Sequence, residues 1–222
     1  MATTTVVSII KRAQLALNDK TSIVWNEREL LDNFNDAVKD IVSRRPDANA
    51  INAFLDCTPD SSKQTLPANA LRLVDVVRNK DGRVIQETDR LTLDSSRPDW
   101  HQSTPTLSVE HYIYDERDPK TFYLYPRPMN NGADPHQIEV VYSTCPEAID
   151  IDDTAIKAGT DTTKIPLDDI YANPLLDFIL YRCYSKDLGS AANAQRAASH
   201  YQAYGNALNV KLQADAMIAT KG

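Results

Sequence analysis

Paired carboxylates are the residues of this sequence that come closest to a catalytic pattern. Three pairs occur, which are Asp99 with Glu110, Asp115 with Glu116, and Asp168 with Asp169. A glycoside hydrolase needs two carboxyl groups that face one cleft about 5–10 Å apart. Nothing in the spacing indicates that any pair converges in this way, and Asp115 falls in a predicted turn, where aspartate is common for local reasons. Hydrolysis of a polysaccharide through carboxylates of the predicted β domain is therefore only an alternative to a function without catalysis.

Metal and cofactor chemistry has still less support. The acidic segment 150–153 contains three aspartates, but an EF-hand loop would also need a glycine at its sixth position and a glutamate at its twelfth. The four histidines lack the spacing of a metal site; they are His101, His111, His136 and His200. The sequence also contains no GxSxG, P-loop or dinucleotide-binding motif. We therefore predict no catalytic residue, no metal and no cofactor.

Composition narrows the function further. The chain has 222 residues and a formal net charge of −7, and an acidic surface does not favour tight binding to DNA phosphates, although DNA could still pass beside it. The three cysteines are odd in number and form no CxxC pair, which predicts free thiols in a reducing compartment. We expect no signal peptide and no membrane-spanning segment, since no apolar run approaches about 20 residues.

Helical periodicity marks both ends of the chain. A first helix is predicted over about 4–18 and a second after Asn26, ending before Pro46. A third follows Pro174, which is either its first residue, capped by Asn173, or a kink in a helix that begins near Asp168. A last, alanine-rich helix is predicted over about 190–216.

The second helix has the clearest local signal. Asn26 is a favourable N-cap, and Glu29 stands three positions later, as in a capping box. Trp25 before the cap and Leu30 within the helix predict a hydrophobic staple.

Strand patterns fill the middle of the chain. Residues 47–65 are polar and rich in turn residues, whereas about five strands are predicted over 66–145, with a turn at 79–82 and an extended run over 83–93. Because neighbouring strands are joined by short turns, we predict an antiparallel meander. The predicted fold class is α+β, with a helical bundle domain from residues 1–60 and 150–222 and an inserted antiparallel β domain over 64–146.

One predicted hairpin carries a concentration of tyrosines, which are Tyr112, Tyr114, Tyr123 and Tyr125. Tyrosine is frequent at protein interfaces, but it also pairs across strands within one protomer. Since successive side chains of a strand point to opposite faces, both roles stay open. The nearby Arg117 and Arg127 could form ion pairs between subunits.

Several short sequence motifs of the β region, and one near the C-terminus, resemble those of a known family. They are Gln64-Thr-Leu-Pro67, Val76-Val-Arg-Asn79, Arg97-Pro-Asp-Trp-His101, the long stretch from His111 to Pro126, and Tyr181-Arg-Cys-Tyr-Ser-Lys-Asp187. In this order they resemble the head-to-tail adaptor proteins of podophages, also called tail tubular protein A, over roughly residues 20–205.

The resemblance implies a structural protein of the virion neck, assembled in the cytoplasm of the bacterial host. It implies a homo-oligomeric ring of twelve copies between the portal protein and the tail nozzle, with no membrane contact. Genomic DNA would pass through the lumen without sequence-specific binding. A different tail component, such as a fibre-attachment subunit, is a further alternative.

The resemblance also implies which surfaces meet the neighbours. The C-terminal stretch would dock on the portal, with candidate residues Asn209, Leu212, Met217 and Ile218. The hairpin would face the nozzle or the tail fibres, with the four tyrosines, Arg117 and Arg127 as candidate contacts.

Overall fold

The computed structural model describes residues 2–186 and 191–219, and from residue 210 onward it describes the backbone only. The helices of the described chain are α1 (Val6–Ala16), α2 (Glu27–Arg44), α3 (Arg90–Ser96), α4 (Asp153–Ala158), α5 (Ala172–Lys186) and α6 (Ala191–Ala219). The strands are β1 (Ala50–Asp56), β2 (Lys63–Thr65), β3 (Ala70–Asn79), β4 (Gln86–Glu87), β5 (His111–Tyr114), β6 (Thr121–Tyr125) and β7 (Gln137–Thr144).

The chain divides into two compact units. The helical unit comprises residues 1–48 and 146–222, and the β unit comprises residues 49–145. Helices from both chain ends thus flank a β region, which confirms the predicted α+β fold class. No described helix is long and apolar enough to cross a membrane.

Helix α1 forms because its apolar residues recur at helical spacing. Val6, Ile10 and Ala13 are fully buried on one side, and burial of such a stripe is what stabilises a short helix. The hydroxyl of Thr5 caps the helix by accepting from the backbone N–H of Ser8 at 3.2 Å.

Helix α2 begins as its sequence predicts. The Asn26 side chain accepts from the backbone N–H of Glu29 at 2.7 Å, which confirms the N-cap. The Glu29 carboxylate accepts from Lys186 of α5 at 2.6 Å instead of completing a capping box. Trp25 and Leu30 are both buried in the same apolar core.

Helix α5 begins at Ala172, directly after a short 3-10 turn over Asp169–Tyr171. Asp168 caps this turn through the N–H of Ile170. Of the two predicted starts, the one near Asp168 agrees with the structure, and the cap at Asn173 is wrong. Pro174 lies in the first helical turn, where its missing N–H has no intrahelical acceptor and costs nothing.

The β unit contains two sheets, with strand orders β1-β7-β3 and β2-β6-β5-β4. All pairs are antiparallel except β4 with β5, which is parallel. The predicted simple meander is therefore wrong. It failed because β1 and β2 lie in the segment predicted as turns. Strand β1 is mostly exposed and β2 has three residues, so neither shows a clear apolar alternation.

The extended run predicted over 83–93 is also wrong. Strand β4 covers only Gln86–Glu87, and helix α3 begins after Asp89, whose side chain caps it through the N–H of Leu91. An aspartate before a helix is a start signal that outweighs the strand propensity of a short run.

The loop between α1 and α2 is organised by one carboxylate. Asp19 accepts from the backbone N–H groups of Trp25, Ile23 and Val24 at 2.8–2.9 Å. These bonds favour the ionised form, and the bond from Trp25 contributes most, so the pKa of Asp19 lies below its usual value of 3.8.

We expect Asp19→Asn to lower the melting temperature of the helical unit at neutral pH. The lowered folded pKa means that Asp19 stabilises the fold above pH 3.8, and that this contribution is lost as the pH falls through the folded pKa. Thermal unfolding of both proteins from pH 7 to pH 2 should therefore converge at the acid end. Asp32→Asn is the control, because it removes an equal charge from an exposed helix position. A difference that persists unchanged at pH 2 would contradict this role.

Candidate assembly surfaces

Helix α6 is seated on the helical unit through its first half. Ala197, Tyr204 and Leu208 are buried, and the Tyr204 ring meets Phe178 of α5 edge-on with 5.3 Å between centroids. The Tyr204 hydroxyl donates to the carboxylate of Asp40 in α2, and burial raises the pKa of Tyr204. These contacts hold the first half of α6 against the core, so that the position at which the helix leaves the core is fixed near Leu208.

Two adjacent arginines at the end of α2 complete this seat. Arg44 pairs with Asp40 at 2.7 Å and lies over the Tyr204 ring. Arg45 is buried to 2% exposure, forms a two-pronged ion pair with Asp47 at 2.6 and 2.9 Å, and donates to the backbone carbonyl of Leu208 at 3.4 Å. A guanidinium suits this site because its fixed fork can serve a carboxylate and a carbonyl together.

The candidate portal-binding residues all lie on α6 after this seat. Asn209 is exposed. Leu212, Met217 and Ile218 belong to the helical backbone, and their side chains lie outside the described residues. Their contact with a portal stays a prediction.

The four hairpin tyrosines have different environments. Tyr112 and Tyr125 are buried, at 5% and 9% exposure, and the Tyr112 hydroxyl donates to Asp75 at 3.1 Å. Tyr114 and Tyr123 are half-buried, and Tyr123 packs its ring against Trp100 with 5.9 Å between centroids. Tyr112 and Tyr125 therefore serve the core of the β unit, and the half-buried pair is what the hairpin can offer to a neighbour.

The two candidate arginines also differ in how far their side chains are used within the β unit. Arg117 is 91% exposed and pairs with Asp115 at 2.8 Å. Arg127 donates to the backbone carbonyls of Ser103 and Asp60 at 2.6 and 3.0 Å. Arg127 thus joins two loops of its own unit, while Arg117 remains at the surface.

One open groove of the β unit gathers several carboxylates. It has a volume of about 860 Å³, and its lining includes Glu87, Asp89, Asp115 and Glu116. A hydrogen bond from Arg117 lowers the pKa of Asp115 to about 2, so this group stays ionised at neutral pH and cannot act as a general acid. The third pair, Asp168 with Asp169, has a structural role, since Asp168 caps a turn and Asp169 accepts from the backbone N–H groups of Thr3 and Thr4.

The carboxylates of the acidic segment 150–153 form a helix cap and ion pairs. Asp152 caps helix α4 through the N–H of Thr154, and Arg28 lies 2.7 Å from Asp150 and 3.6 Å from Asp153. Among the described residues, no group of three or more His, Cys, Asp or Glu side chains could hold a metal ion.

The histidines and cysteines also have local environments. His101 stacks on Trp100, His111 stacks on Tyr125, His136 bonds to Asn79 and His200 bonds to Asp177. In the described chain the three cysteines are free, and burial raises the pKa of Cys57 and Cys183 to about 12. Two of the thiols are therefore poor nucleophiles at neutral pH.

Sequence reasoning missed two features of these surfaces. The first is the buried Arg45, whose position after a helix indicates only a favourable interaction with the helix dipole. The second is β1, the free edge of a sheet, which lies in a segment with no clear strand pattern.

The contacts described for these charged side chains lie within the chain itself. Its charged side chains stabilise loops and helix ends, and its C-terminal helix is anchored at one half. A family model described as SU10 adaptor protein matches residues 4–221, and the chain belongs to this family. It is therefore a bacteriophage adaptor protein and a structural component of the virion. No curated protein sequence matches the chain.

Proposed function

We propose that this chain is the head-to-tail adaptor of a podophage, similar to tail tubular protein A, and acts without catalysis. The observation that carries the proposal is the family match over residues 4–221. The ordered motifs from Gln64 to Asp187 support the finer assignment. In this role about twelve copies form a closed ring between the portal protein and the tail nozzle, assembled in the host cytoplasm.

The seat of α6 supports a division of labour between the two units. Because Tyr204, Leu208 and Arg45 fix the first half of α6, its continuation from Asn209 to Ala219 can present a helical arm. This arm would dock on the portal. The hairpin, with Tyr114, Tyr123 and Arg117 at its surface, would meet the nozzle or the tail fibres.

The charge of the chain supports a passage for DNA. At −7 per copy, a ring of about twelve copies is strongly acidic, and we propose that its lumen carries part of this charge. An acidic wall repels phosphates and lets DNA move without sticking.

Sedimentation velocity with and without the cognate portal tests the proposal. We expect the chain to be a monomer or a small oligomer alone and to join the portal as a complex with about twelve adaptors. A portal-free sample and an unrelated acidic protein of similar size are the controls. Failure to bind the portal under any salt or pH condition would refute the proposed role.

A further inference from the structure

The outer edge of β1 is the longest uncovered sheet edge in the described part of the chain. Among the residues that the structure describes, strand β1 of the sheet β1-β7-β3 pairs with β7 alone. The opposite edge, β3, is covered in part by backbone bonds from Leu73 to Pro119 and from Ile85 to Val77. The edge strands of the other sheet, β2 and β4, have only three and two residues.

The register of β1 shows which backbone groups are free. The backbone N–H of Cys57 donates to the backbone carbonyl of His136 at 2.8 Å. This pair continues the register that places Leu55 opposite Ile138. In an antiparallel pair, hydrogen-bonded positions alternate. The backbone groups of Ile51, Ala53 and Leu55 therefore point to β7, and those of the even-numbered residues point outward.

The outward edge has no device that blocks pairing. Strand β1 reads Ala50-Ile-Asn-Ala-Phe-Leu-Asp56, with one charged residue, no proline and no bulge against β7. Ile51 and Phe54 are 38% and 43% exposed. A flat edge with exposed apolar side chains is a template for another strand.

We propose that β1 pairs with β1 of a second copy of this chain, antiparallel and centred on Ala53. This register places Asn52 opposite Phe54 of the second copy, so that their outward backbone groups can exchange hydrogen bonds. On the other face, Ile51 meets Leu55 of the second copy and extends the apolar core across the seam.

The charges agree with this register. Asp56 lies opposite Ala50 of the second copy, so no two like charges face each other. The two small Ala53 side chains meet at the centre without crowding. Such a contact has two-fold symmetry and closes at two copies, whereas a ring needs a head-to-tail contact. The dimer is thus a form of the free protein, separate from the proposed ring.

Sedimentation velocity over a range of concentrations, with Asn52→Pro and Asn52→Ala, tests the pairing. Proline removes an outward N–H while leaving the bonds to β7, and two such bonds are lost per dimer, so we expect dimerisation to weaken at least about tenfold. Asn52→Ala keeps the N–H and should dimerise like the wild type. Far-UV circular dichroism confirms that both variants are folded.

A cysteine cross-link tests the register independently. In a Cys145→Ser background, Ala53→Cys should form an inter-chain disulfide on mild oxidation, because facing non-bonded positions lie about 4.5 Å apart between Cα atoms. Asn52→Cys should not, because it faces Phe54 of the second copy. A wild type that stays monomeric at every concentration, a dimer unaffected by Asn52→Pro, or no cross-link at Ala53→Cys would overturn the proposal. None of these outcomes bears on portal binding.

Discussion

Truncation after Leu208 is expected to abolish binding to the portal while the helical unit stays folded. The buried residues of α6 end at Leu208 within the described side chains, so the shortened chain keeps Tyr204 on Asp40 and Phe178. It loses the helical arm that carries Leu212, Met217 and Ile218. We expect co-sedimentation with the portal to disappear and the melting temperature to change by only a few degrees.

Two variants separate loss of the arm from loss of the fold. Asn206→Ala, a single exposed change in α6 before the arm begins, should bind the portal like the wild type. Leu208→Ala removes a buried side chain and should lower the free energy of unfolding by about 2–5 kcal/mol. Undiminished portal binding by the truncated chain would show that the docking surface lies elsewhere.

Asn79→Ala is expected to lower the free energy of unfolding of the β unit by about 2–4 kcal/mol. The Asn79 side chain is buried and donates to the carbonyls of Val109 and Arg83 at 2.8 and 2.9 Å. Its oxygen accepts from the N–H of Val109 at 2.9 Å and lies 3.0 Å from Nε2 of His136. Alanine would leave both backbone groups of the fully buried Val109 unpaired.

Urea unfolding followed by tryptophan fluorescence measures this effect. A Trp25→Phe background leaves Trp100, which is buried in the β unit, as the reporter. Asn52→Ala is the matched control, because its exposed amide makes one side-chain bond, to Glu139, and should cost less than about 1 kcal/mol. Equal losses for the two asparagines would contradict the bridging role of Asn79.

The helical ends were predictable because their signals are local. The stripe of α1, the cap at Asn26 and the alanine content of α6 each depend on residues within a few turns. The strands were predicted less well, because their order depends on distant pairing. Strand β7 pairs with β1 and β3, which precede it by many residues, and no local pattern encodes that choice.

The candidate surfaces were predictable only in outline. The tyrosine-rich hairpin is formed as a pair of β5 and β6, but which tyrosines are buried depends on which face the sheet packs. Asn79 looks like a turn residue in the sequence, and its role across to Val109 arises from the fold. The role of Arg45 likewise arises from the fold, since one of its partners is Leu208, which is distant in the sequence.

A cryo-EM reconstruction of the virion neck tests the central claim most directly. We expect a closed ring of about twelve copies of this chain between the portal and the tail nozzle. Helix α6 should contact the portal, the β5–β6 hairpin should face the tail, and the lumen should be acidic. A neck in which this chain forms no ring, or a ring with a strongly basic lumen, would contradict the account.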